Sequence, residues 1–332
     1  MYDSTLLILI IAAAFWYDFV NGFHDAANAI ATTVTTHALS PRNAIIMAQV
    51  LNFVGALLHT AVAYTIGKGV VQSSAIDLPI LLAATMGAIS WGYFTWFFGL
   101  PSSSTHALVG GLMGVALFAN DFNFGILVEA GIRKVLIFMV VSPLLGIIGG
   151  MLLLILFSWI SWKTHYRKSV GFFKKFQILS ASFMSLTHGM NDAQNSMGII
   201  TISLVTAGIM NEFYVPMWVR LASAFFMGLG TSVGGWRIIK TMGKKLTNLQ
   251  EPIDGCAAET AAGTVILGAS LVGAPISTTQ VVTGAIAGGA MAYRLTNVRW
   301  RVMGNIVLAW AFTFPGAAIF GILSYLLVKA FF

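Results

Sequence analysis

Charged residues are scarce in this chain of 332 residues. Lys, Arg, Asp and Glu together make up 9% of the sequence, whereas 58% of it is hydrophobic. A soluble globular domain carries about 25% charged residues, so this sequence lacks the charges that a water-exposed surface needs. No basic, aromatic surface is left outside the apolar segments, so we expect no nucleic-acid partner. The composition predicts an integral membrane protein.

Cysteine is almost absent as well. Cys256 is the single one, which excludes an internal disulfide, and its small neighbours favour a buried apolar role. The N-terminal region lacks the basic residues of a cleaved signal peptide, and its apolar segment leads directly into a polar motif. We therefore expect this first segment to be retained.

Apolar runs of membrane-spanning length fill much of what remains. Five of them are residues 6–20, 45–66, 78–100, 135–160 and 302–328. Most are about as long as a helix needs to cross ~30 Å of hydrocarbon. The 34 glycines are typical of closely packed membrane helices. We predict an all-α fold with about 10 to 12 membrane segments.

Two polar motifs each occur twice within this apolar sequence. Residues 22–28 (GFHDAAN) return as residues 189–195 (GMNDAQN), and residues 100–106 (LPSSSTH) return as residues 274–280 (APISTTQ). Matching polar clusters in two halves of a membrane chain are typical of repeats that share a site. We predict a first repeat over 1–162, a basic cytoplasmic linker over 163–176 and a second repeat over 177–332.

The basic residues predict the orientation. Most fall in a few loops, which the positive-inside rule places in the cytoplasm, where they would also meet anionic lipid. Counting crossings outward from these loops puts both termini outside and inverts the second repeat relative to the first. The prediction is a multi-pass protein of the cell (inner) membrane. Arg133, Lys134 and Arg220 are exceptions that fall on the outer side.

The first motif suits a small cation. Asp25 and Asn28 share a helix face, as do Asp192 and Asn195, and the preceding glycines predict a break in each helix. An ionisable residue inside a membrane suggests function, and carboxylate and amide oxygens are hard ligands. One motif alone could be a helix cap, but the matched pair favours a cation site. Na⁺ is the better fit, with H⁺ as the alternative.

The second motif suits an anion. A proline followed by hydroxyl residues predicts a helix start, whose free N–H groups and dipole attract anions. Two re-entrant hairpins would bring two such ends together near the middle of the membrane. Ordinary hydroxyl capping is the alternative for a single copy. The candidate oxyanion ligands are Ser103, Ser104, Thr105, Ser277, Thr278, Thr279 and Gln280.

The four motifs contain no Lys or Arg, so their acids would repel an anion. This conflict disappears if cations bind with the anion, which predicts obligatory co-transport. Glu259 is a candidate for an extra cation or proton site, or an interface residue that snorkels; Asn52 stands in a similar context in the first half. The second copies have Asn191 and Gln280 in place of His24 and His106. Both amides can donate and accept hydrogen bonds, so hydrogen bonding explains these exchanges without metal or proton chemistry.

The four motifs, together with residues 234–247 (GGWRIIKTMGKKLT), resemble the repeated signature of the inorganic phosphate transporter family. The resemblance covers almost the whole chain. It implies inorganic phosphate as the substrate, driven by a Na⁺ or H⁺ gradient. It also implies that Asp25, Asn28, Asp192 and Asn195 serve the cations while the Ser/Thr clusters hold phosphate.

We therefore predict a secondary transporter that moves phosphate together with a cation. It would work by alternating access and need no cofactor. Helix N-termini do not distinguish phosphate from sulfate, so a symporter of sulfate or another tetrahedral oxyanion stays open, as does an anion channel. An enzyme is disfavoured. A catalytic triad would combine a serine of the first copy with His106, but the second copy has Gln280 at the position of this histidine. Small-residue helix faces permit a homodimer.

Overall fold

Helices form nearly all of the computed structural model, which describes residues 2–248 and 251–331. The described part contains thirteen α-helices. They are α1 (Tyr2–Thr35), α2 (Pro41–Ala56), α3 (Ala61–Lys68), α4 (Leu78–Phe98), α5 (Ser104–Ala119), α6 (Glu129–Ser161), α7 (Tyr166–Asp192), α8 (Gln194–Thr206), α9 (Met217–Val233), α10 (Trp236–Lys240), α11 (Pro252–Leu271), α12 (Thr278–Tyr293) and α13 (Trp300–Phe331). Most of the predicted basic linker therefore lies in the first turns of α7.

In the described part of the chain, four helices are long and apolar enough to cross a membrane: α1, α4, α6 and α13. Helices α2 and α3 pass the same test only as a pair, bent by 71°. Residues 45–66 were predicted as one crossing, and the structure divides them. His59 Nδ1 accepts the backbone N–H of Ala61 at 3.2 Å and so helps to start a new helix. The 10 to 12 membrane segments predicted from the sequence are reached only if the shorter helices are counted as well.

The long helices differ in how far they are buried. In the most apolar stretches of α1 and α4, 61% and 67% of the residues are buried, against 22% and 28% in α6 and α13. Helices α6 and α13 consequently expose large apolar side chains such as Leu152, Ile155, Phe312 and Leu327. This exterior suits contact with lipid and not with water.

The helices of the first half and those of the second half pack in matching ways. Helix α4 packs against α5, and α11 packs against α12. Helix α6 packs against α12, while α13 packs against α5; likewise α1 packs against α9, and α7 against α2. Isolated antiparallel bridges repeat too, between Val71 and Leu127 and between Thr247 and Val298. Each half therefore contacts the other through equivalent helices.

Glycines bring α6 and α12 into close contact. Gly146 and Gly150 on α6 face backbone carbonyls of α12, and Gly284 and Gly288 on α12 face carbonyls of α6. A Cβ atom at any of these four positions would collide with the opposite carbonyl. The pattern of small residues four apart on both helices allows the backbones to approach this closely.

The predicted breaks occur in one motif only. Helix α1 runs without interruption from Tyr2 to Thr35, so the break predicted at residues 22–28 is wrong. In the second copy α7 ends at Asp192 and α8 begins at Gln194. The Gln194 side chain donates to Met190 O at 2.6 Å and accepts from the backbone of Val62. It thus competes for a helix carbonyl, whereas Ala27 occupies the equivalent place in α1.

Candidate functional site

Helices α4 and α5 form a first helical hairpin, and α11 and α12 form a second. The second helix of each hairpin begins three residues later than its proline suggests. Helix α5 begins at Ser104 and α12 at Thr278, so the prediction that Pro101 and Pro275 open these helices is wrong. Ser103 Oγ accepts the backbone N–H of His106, and Ser277 Oγ accepts that of Gln280, both at 3.1 Å. Serine is thus the N-cap in both copies.

The chain between each pair of hairpin helices follows the same path. Gly99 and Gly273, just before the prolines, adopt positive φ angles of 65° and 64°, which glycine tolerates without steric cost. Thr65 Oγ1 donates to the carbonyl of Gly273, and Thr241 Oγ1 donates to that of Gly99, both at 2.8 Å. A threonine from the other half therefore fixes each turn.

Each asparagine reaches across to the hairpin of the other half. Asn28 Nδ2 on α1 donates to Thr279 Oγ1 on α12, and Asn195 Nδ2 on α8 donates to Thr105 Oγ1 on α5. Both distances are 2.9 Å, and all four residues are buried. The two bonds are equivalent under exchange of the halves, and they bring the four motifs to one place.

The acids contact the first residues of the hairpin helices. Ser104 Oγ donates to Asp25 Oδ2, and Thr278 Oγ1 donates to Asp192 Oδ2, each at 3.2 Å. Thr279 Oγ1 also lies 3.4 Å from Asp25 Oδ1. Since hydroxyl groups hold both carboxylates beside two helix N-termini, positive and negative ligands could share this site.

The predicted hydrogen-bonding role holds for one His pair only. His24 Nδ1 lies 2.5 Å from Asp25 Oδ1, and its Nε2 lies 3.2 Å from Thr95 Oγ1 on α4. Its counterpart Asn191 donates to Ser270 Oγ on α11 at 2.9 Å. Both side chains thus tie a motif helix to the first helix of a hairpin.

The other histidine, His106, is held in place by packing against an aromatic ring. The ring nitrogens of His106 have no hydrogen-bond partner among the described residues. Its ring instead packs on Phe314 with centroids 5.2 Å apart. The expectation that hydrogen bonding explains the exchange of His106 for Gln280 is therefore wrong, because a ring beside Phe314 is stabilised by contact area.

His188 joins the site although the sequence analysis did not select it. Its Nε2 lies 3.3 Å from Asp192 Oδ2, and its Nδ1 lies 3.2 Å from Asn52 Oδ1. One ligand atom from each of Asp25, His188 and Asp192 lies within 4.8 Å of the others. The signal was present in the sequence, since positions 188 and 192 share a helix face.

Several oxygen atoms of the site have no hydrogen-bond partner among the described residues. They are Asn28 Oδ1, Asn195 Oδ1 and Asp192 Oδ1, all in side chains that are at most 1% exposed. Buried polar atoms are normally satisfied. Oxygens that are free while their amide nitrogens are bonded fit the donor set of a hard cation.

Glu259 lies in a separate buried cluster. Its Oε1 accepts from Thr32 Oγ1 at 2.6 Å, Thr33 Oγ1 at 2.9 Å and Gln177 Nε2 at 3.0 Å, and Ser180 Oγ donates to Oε2 at 2.5 Å. The interface alternative is wrong, because the side chain is 2% exposed and fully bonded.

The first-half counterpart of Glu259 is not Asn52. Thr85 stands at the same distance from the start of α4 as Glu259 from the start of α11. Asn52 instead lies on α2, where its Nδ2 donates to Thr231 Oγ1 at 3.2 Å. Position within a helix therefore identifies the equivalent residue better than local sequence context.

A polar cavity of about 780 Å³ lies beside the second hairpin. Lys134 and Arg220 line it, and Gly273 in its wall belongs to the turn that precedes Ser277. Among the described residues that line it, none is acidic. The Lys134 ammonium donates to Val272 O at 2.6 Å, and the Arg220 guanidinium donates to Leu57 O.

The whole chain can be compared with known proteins. A model of the phosphate transporter family matches residues 21–321. The chain belongs to the phosphate transporter family. Two relatives are each described as a probable low-affinity inorganic phosphate transporter. The one from Bacillus subtilis (strain 168) is 40% identical over 98% of both chains, and the one from Rhizobium meliloti (strain 1021) is 44% identical over 96% of both chains.

A solved structure gives the same result for the fold of this family member. It is described as the sodium-dependent phosphate transporter, and it matches with a TM-score of 0.89 at 25% identity. The match covers 99% of this chain and 100% of that chain. This member of the phosphate transporter family is accordingly an all-helical membrane transporter and not an enzyme, and the resemblance noted in its motifs is confirmed.

Proposed function

We propose that this transporter moves inorganic phosphate across the membrane together with Na⁺. The reciprocal bonds Asn28–Thr279 and Asn195–Thr105 carry the proposal. They hold two helix N-termini and two acids in one buried place, which a site for an anion with its counter-ions requires. A relative described as a sodium-dependent phosphate transporter supports Na⁺ over H⁺.

The phosphate ligands come from the starts of α5 and α12. Each start offers backbone N–H groups and the positive end of a helix dipole, which favour an oxyanion. Hydroxyl groups add further donors, and Gln280 adds an amide whose Oε1 has no partner among the described residues. We assign phosphate to Ser103, Ser104, Thr105, Ser277, Thr278, Thr279 and Gln280.

The Na⁺ ligands come from the motifs on α1, α7 and α8. Asp25, Asn28, Asp192 and Asn195 supply carboxylate and amide oxygens, several without a hydrogen-bond partner among the described residues. Two carboxylates beside a phosphate would repel it, and bound Na⁺ removes that repulsion. Glu259, held by four donors, is a candidate for an additional cation or proton site.

The matched packing of the halves supports inverted repeats over 1–162 and 177–332, joined by the basic residues 163–176. Exchange of equivalent helices is what a two-fold axis in the membrane plane would produce. In this scheme α4–α5 and α11–α12 are re-entrant hairpins, and the halves alternate access around the site. Both termini then lie on the outer side of the cell (inner) membrane. Single cysteines at Asp121 and Lys163, in a Cys256→Ala background, should react with impermeant reagents from opposite sides.

The decisive experiment is uptake of labelled phosphate into proteoliposomes under separately imposed Na⁺ and pH gradients. We expect the inward Na⁺ gradient alone to drive accumulation, with sulfate in excess competing poorly. Accumulation driven by a pH gradient without Na⁺ would make H⁺ the coupled ion. Equal competition by sulfate would indicate a general oxyanion symporter, and equilibration that ignores both gradients would indicate an anion channel.

A further inference from the structure

A second buried carboxylate lies on α1, away from the site described above. Asp18 is 0% exposed. Its Oδ2 accepts from Ser196 Oγ on α8 at 2.6 Å, and that hydroxyl lies 3.0 Å from Ser223 Oγ on α9. Asp18 Oδ1 has no hydrogen-bond partner among the described residues. A buried carboxylate that leaves one oxygen without a partner is costly, so the burial of Asp18 needs an explanation.

Two neighbouring side chains on α1 are also buried and unsatisfied. Asn21 has no partner for either Oδ1 or Nδ2, and the Tyr17 hydroxyl has none, in the part of the chain that the structure describes. Asn21 is three residues after Asp18 and shares its helix face. Tyr17 directly precedes Asp18 on α1, and its side chain is 2% exposed. Three side chains within five residues of α1 therefore carry buried polar atoms without a hydrogen-bond partner among the described residues.

The repeat does not account for this cluster. When Asp25 is matched with Asp192, the positions of Tyr17, Asp18 and Asn21 correspond to Met184, Ser185 and His188. Ser185 simply donates to the carbonyl of Ala181 within its own helix. The second half folds without an acid at this place, so Asp18 is not a requirement of the helix packing.

Its position along α1 connects Asp18 to the central site. Asp18 is seven residues before Asp25, which is about 10 Å along the helix axis. Thr32, which donates to Glu259, is seven residues after Asp25. Asp18 and Glu259 therefore lie near opposite ends of one polar stripe on α1, with Asp25 between them. Of these three acids, Asp18 lies nearest the N-terminal end of α1.

We propose that Asp18 is the centre of a further Na⁺ site, completed by Asn21, Ser196 and Ser223. The inference rests on the proposed Na⁺ coupling and adds a cation that neither repeated motif supplies. The carboxylate, the amide oxygen and the two hydroxyls form an all-oxygen donor set, which suits a small hard cation. Three helices contribute ligands, so the bound ion ties α1 to α8 and α9.

Asp18→Asn is the direct test, because it keeps the shape of the side chain and an acceptor for Ser196. We expect the half-saturating Na⁺ concentration for phosphate uptake to rise about 10-fold and the Hill slope for Na⁺ to fall. The KM for phosphate at saturating Na⁺ should change little. Ser185→Ala, at the equivalent place in the second half, is the matched control and should leave the Na⁺ dependence unchanged.

Thermal unfolding of the detergent-solubilised protein without phosphate provides a second readout that needs no transport. We expect Na⁺, compared with choline, to stabilise the wild type more than Asp18→Asn. If Asp18→Asn does not fold, Ser223→Ala should show a smaller loss in the same direction. An unchanged Hill slope and unchanged Na⁺ stabilisation in these variants would overturn the Asp18 site, as would a change confined to the pH dependence. A wild type without any Na⁺ response would instead overturn the proposed coupling itself.

Discussion

At the scale of single residues, the two acids of the central site occupy equivalent but unequal surroundings. Asp25 contacts the neighbouring His24 ring, whereas Asp192 contacts His188 one helical turn earlier. Both also accept a hydroxyl at the start of a hairpin helix. Each carboxylate thus has donors that an amide of the same shape could partly keep, which makes isosteric substitution informative.

Asp25→Asn and Asp192→Asn should each weaken Na⁺ dependence more than they weaken folding. Removing one charge from a buried cation site should raise the half-saturating Na⁺ concentration about 10-fold or more, because the lost Coulomb attraction amounts to at least about 1.4 kcal/mol. Uptake measured against Na⁺ concentration, with the melting temperature recorded in parallel, checks this. Asp121→Asn in an exposed turn is the control. If phosphate uptake and its Na⁺ dependence survive both changes, the cation assignment is wrong.

His106→Gln should leave transport largely intact. The ring makes no hydrogen bond to the described residues, and the equivalent position is already Gln280. Loss of the contact with Phe314 should lower stability by about 1 kcal/mol. Uptake within about 3-fold of the wild type is expected, in line with such a small change. Complete loss of uptake in a folded variant would point to proton chemistry at His106.

The repeated motifs explain which site residues the sequence could reveal. Asp25, Asn28 and their counterparts were selected because each occurs twice, and the structure brings both copies together. His188 and Asp18 were missed because each occurs once, so comparing the two halves hides them. Helix periodicity would have found both, since positions 18, 21, 25 and 28 fall on one face of α1, and positions 188 and 192 on one face of α7.

At the scale of helices, close packing depends on residues without side chains. Gly288 on α12 faces the carbonyl of Ile147 on α6, and Gly150 on α6 faces that of Ala285 on α12. Because α12 also carries Thr278 and Thr279 at its start, the same contact helps to position two of the proposed phosphate ligands. Packing between α6 and α12 and the geometry of the site are therefore linked through one rigid helix.

Gly288→Ala should destabilise the protein by about 1 to 3 kcal/mol, because the new methyl group must push α6 away. The melting temperature of the purified protein measures this, and phosphate uptake should fall with it. Gly268→Ala on α11 is the matched control, since a Cβ atom there meets nothing within 4 Å. Equal melting temperatures for the two variants would show that α6 can move away from the new methyl group without loss of stability.

Helix boundaries were only partly predictable, and the errors have local causes. The apolar runs gave α4, α6 and α13 nearly as they are. A hydropathy pattern does not register the hydrogen bond that the Ala61 backbone N–H donates to His59, so α2 and α3 were joined. Nor does it register that Gln194 can replace a helix N–H at Met190, which interrupts the second motif while the first stays helical.

At the scale of the whole molecule, charge is distributed unevenly between the loops. The positive-inside rule accounts for most basic residues but leaves Lys134 and Arg220 on the side predicted to be outside. Both line the cavity beside the second hairpin. Each also donates to a carbonyl at a helix C-terminus, which accounts for its position but not for the absence of acids from the described residues that line the cavity. If the proposed phosphate site is right, a basic cavity beside it would attract the anion electrostatically.

Lys134→Gln should therefore raise the KM for phosphate about 3-fold at low ionic strength, with the maximal rate unchanged. Raising ionic strength with choline chloride at fixed Na⁺ should shrink the difference, because salt screens interactions between exposed charges. Lys134→Arg keeps the charge and should behave like the wild type. A salt-independent fall in the maximal rate would instead mean that Lys134 acts through the Val272 carbonyl alone, by holding the turn that leads to Ser277. The two outcomes separate long-range attraction of the anion from local support of the hairpin.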